Sequence, residues 1–402
     1  MTNLKIAIVA PVYTAKSTWG PVTVIRNIVK FLKNKGHNFV IYAANAVSPN
    51  RLATLPSKEY IDGVLVKRYK TLLSIASYRF TPSMFKDLMR DNFDVIHAHC
   101  ARSFQLNLAA LVSKLRNKPL IVSAHGTLAS YVGGANLSRA LRCLHRVHNF
   151  ALKLTLDQAQ VCTALSELEA RQFLQIFKAS KDKIVVIPNG VDPSLYLKLP
   201  PEGIFRDKYG IKDDRKIILY IGRINKVKGI DFLIRAFSYL INEMKCDKAV
   251  LVIAGPDDGY LHEAKSLSHS LGVGEKVVFT GFLTEYDKIC AYVDSTVVVH
   301  PESFNVTLIA PLEAAASGKP IILSSGNYLS KIAERAGFGF SVPYGDIEVM
   351  AKLLQKILSE QNLAKSMGAK GREFVLGNLS WSAIAEKYEE IYLTAAIMGT
   401  HG

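Results

Sequence analysis

Arg223 and Lys228 stand five positions apart in GRINKVKG, directly after the apolar run KIILYIG. A guanidinium is a rigid fork and an ammonium a compact point charge, so such a pair can cover two phosphates. Glu313 falls in PLEAAASG, near the start of a predicted helix that closes at Ser317 and Gly318. A carboxylate there can accept both hydroxyls of a ribose. Cations that steady a departing diphosphate as its charge grows, with an acid anchoring the pentose, point to sugar transfer from a nucleotide. Taken singly, each has a plainer reading: a solvated basic loop around Lys226, or a Glu that complements its own helix dipole.

Other positions add to this. The helix start around Thr307 to Pro311 would aim free N–H groups at phosphate, with Pro311 tolerated in the first turn. His125, in SAHGTL after a predicted strand at 119–123, can hydrogen-bond a sugar hydroxyl or a developing charge. His97 and His99, in VIHAHC, are expected to alternate across strand faces, at least one being packed behind the site and neither a metal ligand. Gly20, before Pro21, ends the first loop and lets backbone approach a substrate. The helical stretch 137–155 carries Arg139, Arg142, Arg146 and Lys153 among leucines. It suits either an anionic bilayer surface or a packed helix with a solvated basic edge. No Asp-x-Asp occurs, so cations rather than a metal ion are expected to hold the diphosphate.

These residues need elements to place them. Short apolar runs near 5–10, 39–43, 93–98, 119–123, 160–163 and 184–187 alternate with helical stretches such as 22–35 and 104–116. A second series runs near 216–221, 248–254, 276–280, 296–299 and 320–323, with helices such as 230–244 and 350–358. Continuous runs such as IAIVAPV and AVLVIAG suit parallel strands covered on both faces. Two such series predict two doubly wound α/β domains, with ligands bound beyond the carboxyl ends of the strands. The proline-rich IPNGVDPSLYLKLPPEG divides residues 1–195 from 196–378, and 379–402 follows as an amphipathic helix.

The composition narrows the class. Of 402 residues, 49% are hydrophobic and 21% charged, an ordinary globular balance. No run approaches the ~18 apolar residues of a membrane span, and the N-terminus does not read as a signal peptide. Five scattered cysteines without a CxxC fit a reducing cytosol. The formal charge of +16 is uneven: residues 1–195 hold 26 Lys+Arg and 10 Asp+Glu, the remainder 24 of each. The N-terminal half is therefore expected to face something anionic. Aromatic-interleaved basic repeats and zinc fingers are missing, which argues against nucleic acid.

Together these segments resemble the family 4 retaining glycosyltransferases. The resemblance runs through KIAIVAPVY, FDVIHAHC, SAHGTL, VIPNGVD, ILYIGRINKVKGIDFLIRAF, VIAGPDDGYL, VVFTGF, residues 301–322 and SWSAIAEKYEEIY. It implies the GT-B fold: two Rossmann-like domains facing across a cleft, the first for the acceptor and the second for the nucleotide sugar, with the last helix crossing back to the first. It implies that Gly222, Arg223 and Lys228 hold the diphosphate and that Glu313 is the second Glu of E-x7-E. It implies further that His125 faces the donor sugar, that Phe282 and Leu283 edge the base, and that Asn305, Thr307, Leu308 and Ile309 line the donor site. Asn305 stands where the first motif Glu is expected, and Glu302 replaces it only if the loop bends.

The expected function is metal-independent transfer of a hexose, with retention, from a UDP- or GDP-linked donor to an acceptor hydroxyl. The product would be a glycolipid or cell-surface polysaccharide. No cofactor is expected beyond that co-substrate. The acceptor is expected to be an anionic or lipid-linked saccharide, met in the cytoplasm or at the inner face of the cell membrane. Two alternatives remain: a nucleotide-sugar epimerase, and a weakened nucleotide-binding partner subunit.

Overall fold

The structure, a computed structural model, describes residues 3–15, 17, 19–48, 51–75, 78–128, 139–303 and 309–400, without the side chains of 48, 51, 75, 139–147, 399 and 400. The chain forms two compact units, Met1–Asn189 with Trp381–Gly402, and Gly190–Ser380.

The first unit opens with β1 (Lys5–Ala10), α1 (Gly20–Lys33), β2 (Asn38–Ala44) and a ribbon of β3 (Ala46–Ser48) and β4 (Arg51–Leu52). A hairpin of β5 (Lys58–Ile61) and β6 (Val64–Tyr69) follows, then a ribbon of β7 (Leu73–Ile75) and β8 (Tyr78–Phe80). The remainder is α2 (Met84–Arg90), β9 (Val95–His99), α3 (Phe104–Arg116), β10 (Leu120–Ser123), α4 (Arg139–Gln158), β11 (Val161–Ala164), α5 (Glu167–Phe177) and β12 (Ile184–Val186). The sheet order is β12-β11-β10-β9-β1-β2-β6-β5, with β5 antiparallel to β6. Both faces of β1 are buried because its side chains alternate between two cores. Ala7 and Val9 enter the one with α3, α4 and α5, and Ile6 and Ile8 the one with α1.

The second unit comprises α6 (Ile204–Tyr209), β13 (Lys216–Ile221), α7 (Ile230–Asn242), β14 (Ala249–Ala254), α8 (Leu261–Ser270), β15 (Val277–Gly281), α9 (Glu285–Asp294), β16 (Val297–His300), α10 (Ala310–Ala316), β17 (Ile321–Ser324), α11 (Tyr328–Arg335), β18 (Gly339–Val342), α12 (Ile347–Ser359) and α13 (Gln361–Asn378). Its strands run parallel in the order β15-β14-β13-β16-β17-β18. Chain order therefore reverses between β13 and β16, the place where open sheets of this kind take ligands.

The last helix, α14 (Trp381–Thr400), belongs to the first unit. Trp381, Ile384, Tyr388, Ile391 and Tyr392 recur on one face and enter the core shared with α1. Among the described residues no helix is long and apolar enough to cross a membrane.

Sequence patterning missed the short β3–β4 ribbon, the β5–β6 hairpin, the β7–β8 ribbon and β18. The β5–β6 hairpin turns on Asp62 and Gly63, both at positive φ (51° and 70°), an Asp-Gly turn signal between strands. β7 and β8 are only three residues each. In β18 glycine interrupts the apolar run that marks the other buried strands.

Candidate active site

In the second unit β13 delivers a loop built for close backbone approach. Gly222 N–H donates to the Ala254 carbonyl at 2.9 Å. A Cβ on Gly222 would fall 2.6 Å from Tyr220 Oη, and one on Gly255 only 1.8 Å from the Gly222 carbonyl. Gly229, at φ 67°, rests against the segment after β16, where a Cβ would meet the Pro301 carbonyl at 2.6 Å. Asn225 pins the turn: its Oδ1 accepts from Val227 N–H at 3.1 Å, and its Nδ2 donates to the Asp258 carbonyl at 2.9 Å.

Each candidate cation carries an acid from a neighbouring strand. Arg223 Nη1 donates to Asp258 Oδ2 at 2.5 Å, and Asp258 follows β14. Lys228 Nζ donates to Glu302 Oε1 at 3.2 Å, and Glu302 follows β16. The two pairs differ in burial. Arg223 and Asp258 are 45% and 30% exposed, so their attraction is modest and an incoming anion can compete for the guanidinium. The Glu302 side chain is 1% exposed, and its second oxygen lies 3.6 Å from His300 Nδ1. It fixes Lys228 at the point where chain order reverses.

Glu313 lies in the first turn of α10, with its N–H bonded to the Ile309 carbonyl at 3.0 Å. That helix starts at Ala310, within the expected 307–311, with Pro311 in its first turn. The carboxylate accepts from Lys288 Nζ at 2.6 Å and from Tyr292 Oη at 3.0 Å, both on α9. Burial first, then the Glu313 charge, hold the Tyr292 hydroxyl well above its usual range, so it remains a donor. Each carboxylate oxygen keeps lone-pair capacity for a further hydroxyl. Phe282, just past β15, is 59% exposed, whereas Leu283 is buried in the core. Asn305, Thr307 and Leu308 lie outside the described residues.

In the first unit β10 ends at a turn where His125 (φ 55°) and Gly126 (φ 76°) are both left-handed. The buried Glu169 holds this turn, accepting from Gly126 N–H and, at 2.7 Å, from Leu165 N–H. Burial raises the Glu169 carboxyl to about 7. His125 Nε2 lies 2.8 Å from His99 Nδ1. His97 Nδ1 lies 2.7 Å from Tyr392 Oη on α14, and its Nε2 2.7 Å from Ser123 Oγ. Burial lowers His97 and His125 to about 3, and His99 well below its usual value. All three rings are therefore neutral near pH 7. The expected alternation of His97 and His99 is wrong: residues two apart on a strand share a face, and their ring centroids are 4.0 Å apart.

Gly20 starts α1, and an added Cβ there would meet nothing within 4 Å, so packing does not require glycine. Arg139, Arg142 and Arg146 lie on α4, in the stretch without described side chains.

Sequence reasoning gave no role to Asp258, Lys288, Tyr292 or Glu169, and took Glu302 only as an alternative. Lys288 and Tyr292 had a signal, since residues four apart share a helix face. The others depend on strand order.

This fold, with cations after one strand and a carboxylate on a nearby helix, suits a sugar-transferring enzyme. The family described as Glycosyltransferase Family 4 matches residues 20–195, and that described as Glycosyl transferases group 1 matches 202–374. The chain belongs to the family 4 glycosyltransferases and has their GT-B fold. An uncharacterized glycosyltransferase of Methanocaldococcus jannaschii is 28% identical, over 98% of this chain and 99% of its own. The N-acetyl-alpha-D-glucosaminyl L-malate synthase of Bacillus anthracis is 26% identical, over 90% and 91%. Among solved structures, Anabaena HepE in complex with UDP superposes with a TM-score of 0.77 at 16% identity, covering 97% of this chain and 100% of HepE.

Proposed function

We propose that this glycosyltransferase moves a hexose, with retention, from a UDP- or GDP-linked donor to an acceptor hydroxyl. One observation carries the reading: Arg223 and Lys228 each sit on an acid from an adjacent strand, at the reversal between β13 and β16. A diphosphate takes the Arg223 fork from the half-buried Asp258, while Lys228 stays fixed on Glu302. Glu313 accepts the ribose hydroxyls, and the exposed ring of Phe282 stacks on the base. As the bond from the sugar carbon to the phosphate oxygen breaks, the acceptor oxygen bonds to that carbon on the same face. The leaving phosphate oxygen takes the acceptor proton, and the two cations stabilise its growing charge without a metal ion. HepE has been solved with UDP, which supports a nucleotide-linked donor.

The acceptor reading rests on charge. Residues 1–195 hold the whole surplus of +16, which favours an anionic acceptor or an anionic membrane surface presenting one. The relative in Bacillus anthracis is named for L-malate, a dicarboxylate.

A panel of nucleotide sugars, scored for transfer and hydrolysis, tests the donor. Arg223→Ala is expected to lower turnover at least a hundredfold, about 3 kcal/mol of transition-state stabilisation. Unchanged turnover in that variant rules the assignment out.

A further inference from the structure

The turn at His125 rests on a second imidazole whose chemistry is more constrained than its own. His99 is fully buried. Its Nδ1 lies 2.8 Å from His125 Nε2, and the ring planes differ by 14° with centroids 5.1 Å apart. That separation suits two rings joined edge to edge through one in-plane N–H···N bond, and is too long for face-to-face contact with nitrogens so close. Its other nitrogen, Nε2, is buried and has no hydrogen-bond partner among the described residues.

The geometry points to His99 as the residue that sets the tautomer of His125: His99 Nδ1–H donates to His125 Nε2, so His125 carries its own proton on Nδ1. Both rings are neutral, so one proton lies between them. If His125 donated instead, the proton of His99 would sit on Nε2, a buried N–H with no acceptor. A buried N–H without an acceptor is rare in folded proteins and costs its full desolvation. With His99 as donor, Nε2 of His99 is a bare lone pair and no N–H is stranded. The Gly126–Glu169 bond and the left-handed backbone at 125 hold the His125 ring in line to receive the proton.

The consequence is chemical. A His125 protonated on Nδ1 offers a hydrogen bond to a sugar or phosphate oxygen and cannot take a proton there. It is a donor and not a general base, which fits an acceptor proton that leaves with the phosphate. This consequence rests on the sugar-transfer reading above. The tautomer does not.

A long-range proton–nitrogen NMR correlation on the full chain with isotope-labelled histidines decides it, with His125 assigned by its loss in His125→Gln. The wild type is expected to show a bare Nε2 and a protonated Nδ1 at His125. His99→Asn keeps an amide donor where Nδ1 stood and is expected to preserve that pattern. His99→Leu is expected to give a mixture of tautomers and to lower kcat roughly tenfold, the worth of about one hydrogen bond, with a smaller change in KM. A proton on His125 Nε2 in the wild type overturns the assignment, as does an unmoved tautomer in His99→Leu. Should His99→Leu not fold, the wild-type spectrum alone decides. Failure of every nucleotide sugar as donor would sink the proposed function and leave the tautomer standing.

Discussion

Glu302 Oε1 accepts from Lys228 Nζ at 3.2 Å, on a carboxylate buried to 1% exposure. Seventy-four residues separate the two in sequence, and the bond joins the loops after β13 and β16. An acid beside a phosphate-binding cation does two opposing things: it places the ammonium, and it cancels part of its charge. Glu302→Gln separates them, because the amide still accepts a hydrogen bond while the site gains one net positive charge. At an effective dielectric near 20 and about 6 Å, that charge is worth roughly 3 kcal/mol per opposing unit charge of a bound diphosphate. Product nucleoside diphosphate is therefore expected to bind about a hundredfold tighter by calorimetry, while kcat falls about tenfold. Weaker binding in the variant would show that placement outweighs charge.

Glu313 has a structural duty beside its proposed ribose role. Tyr292 is fully buried and donates to it. Glu313→Ala strands that hydroxyl and is expected to cost about 1–3 kcal/mol, read as a lower Tm. Glu313→Gln keeps an acceptor for Tyr292, so its Tm should fall much less. Both variants should weaken nucleoside diphosphate binding and leave inorganic pyrophosphate binding unchanged, since only the ribose contact is lost.

Legibility in the sequence followed the range of the interaction. Arg223, Lys228 and His125 stood out as candidates because each follows an apolar strand within a few residues, and Glu313 because it opens a helix. Their partners were not. Asp258 meets Arg223 from 35 residues on, and only the order β14-β13-β16 explains why both Asp258 and Glu302 reach the β13 loop. The strands themselves were clear wherever buried apolar runs were continuous. The β5–β6 hairpin was passed over despite its Asp-Gly turn, because its alternation KEYI, VLVKRY is half polar. The pairing of His97 with His99 was available from the period of a strand and was misjudged.

The buried histidines and Glu169 make the first unit sensitive to pH in opposite senses. His97 and His125 have folded values near 3, below the ordinary 6.5. The unfolded chain therefore binds more protons between pH 3 and 6.5, and stability falls as pH drops through that window. Glu169 has a folded value near 7, above its ordinary 4.5. There the folded state binds more protons, and stability falls as pH rises from 4.5 to 7. With several histidines against one carboxyl, Tm is expected to drop steeply below pH 6.5. Glu169→Gln loses an acceptor at all pH, but its stability relative to wild type should rise by up to about 3 kcal/mol between pH 4.5 and 7. A flat difference across that range would refute the raised carboxyl.

Phe282 and Leu283 are neighbours with opposite environments, and that makes a clean test of base recognition. Phe282 is 59% exposed just past β15, while Leu283 is 7% exposed within the core of the second unit. Leu283→Ala leaves a cavity and is expected to cost about 2–4 kcal/mol of stability. Phe282→Ala removes a ring that supports little of the fold, so Tm should hold. Stacking of a base on an aromatic face is worth about 1–3 kcal/mol, so nucleoside diphosphate should bind roughly ten- to a hundredfold more weakly. Inorganic pyrophosphate lacks the base and should bind Phe282→Ala as it binds the wild type. Equal losses for both ligands would place Phe282 beside the phosphates instead, and an unchanged nucleotide Kd would remove it from the site.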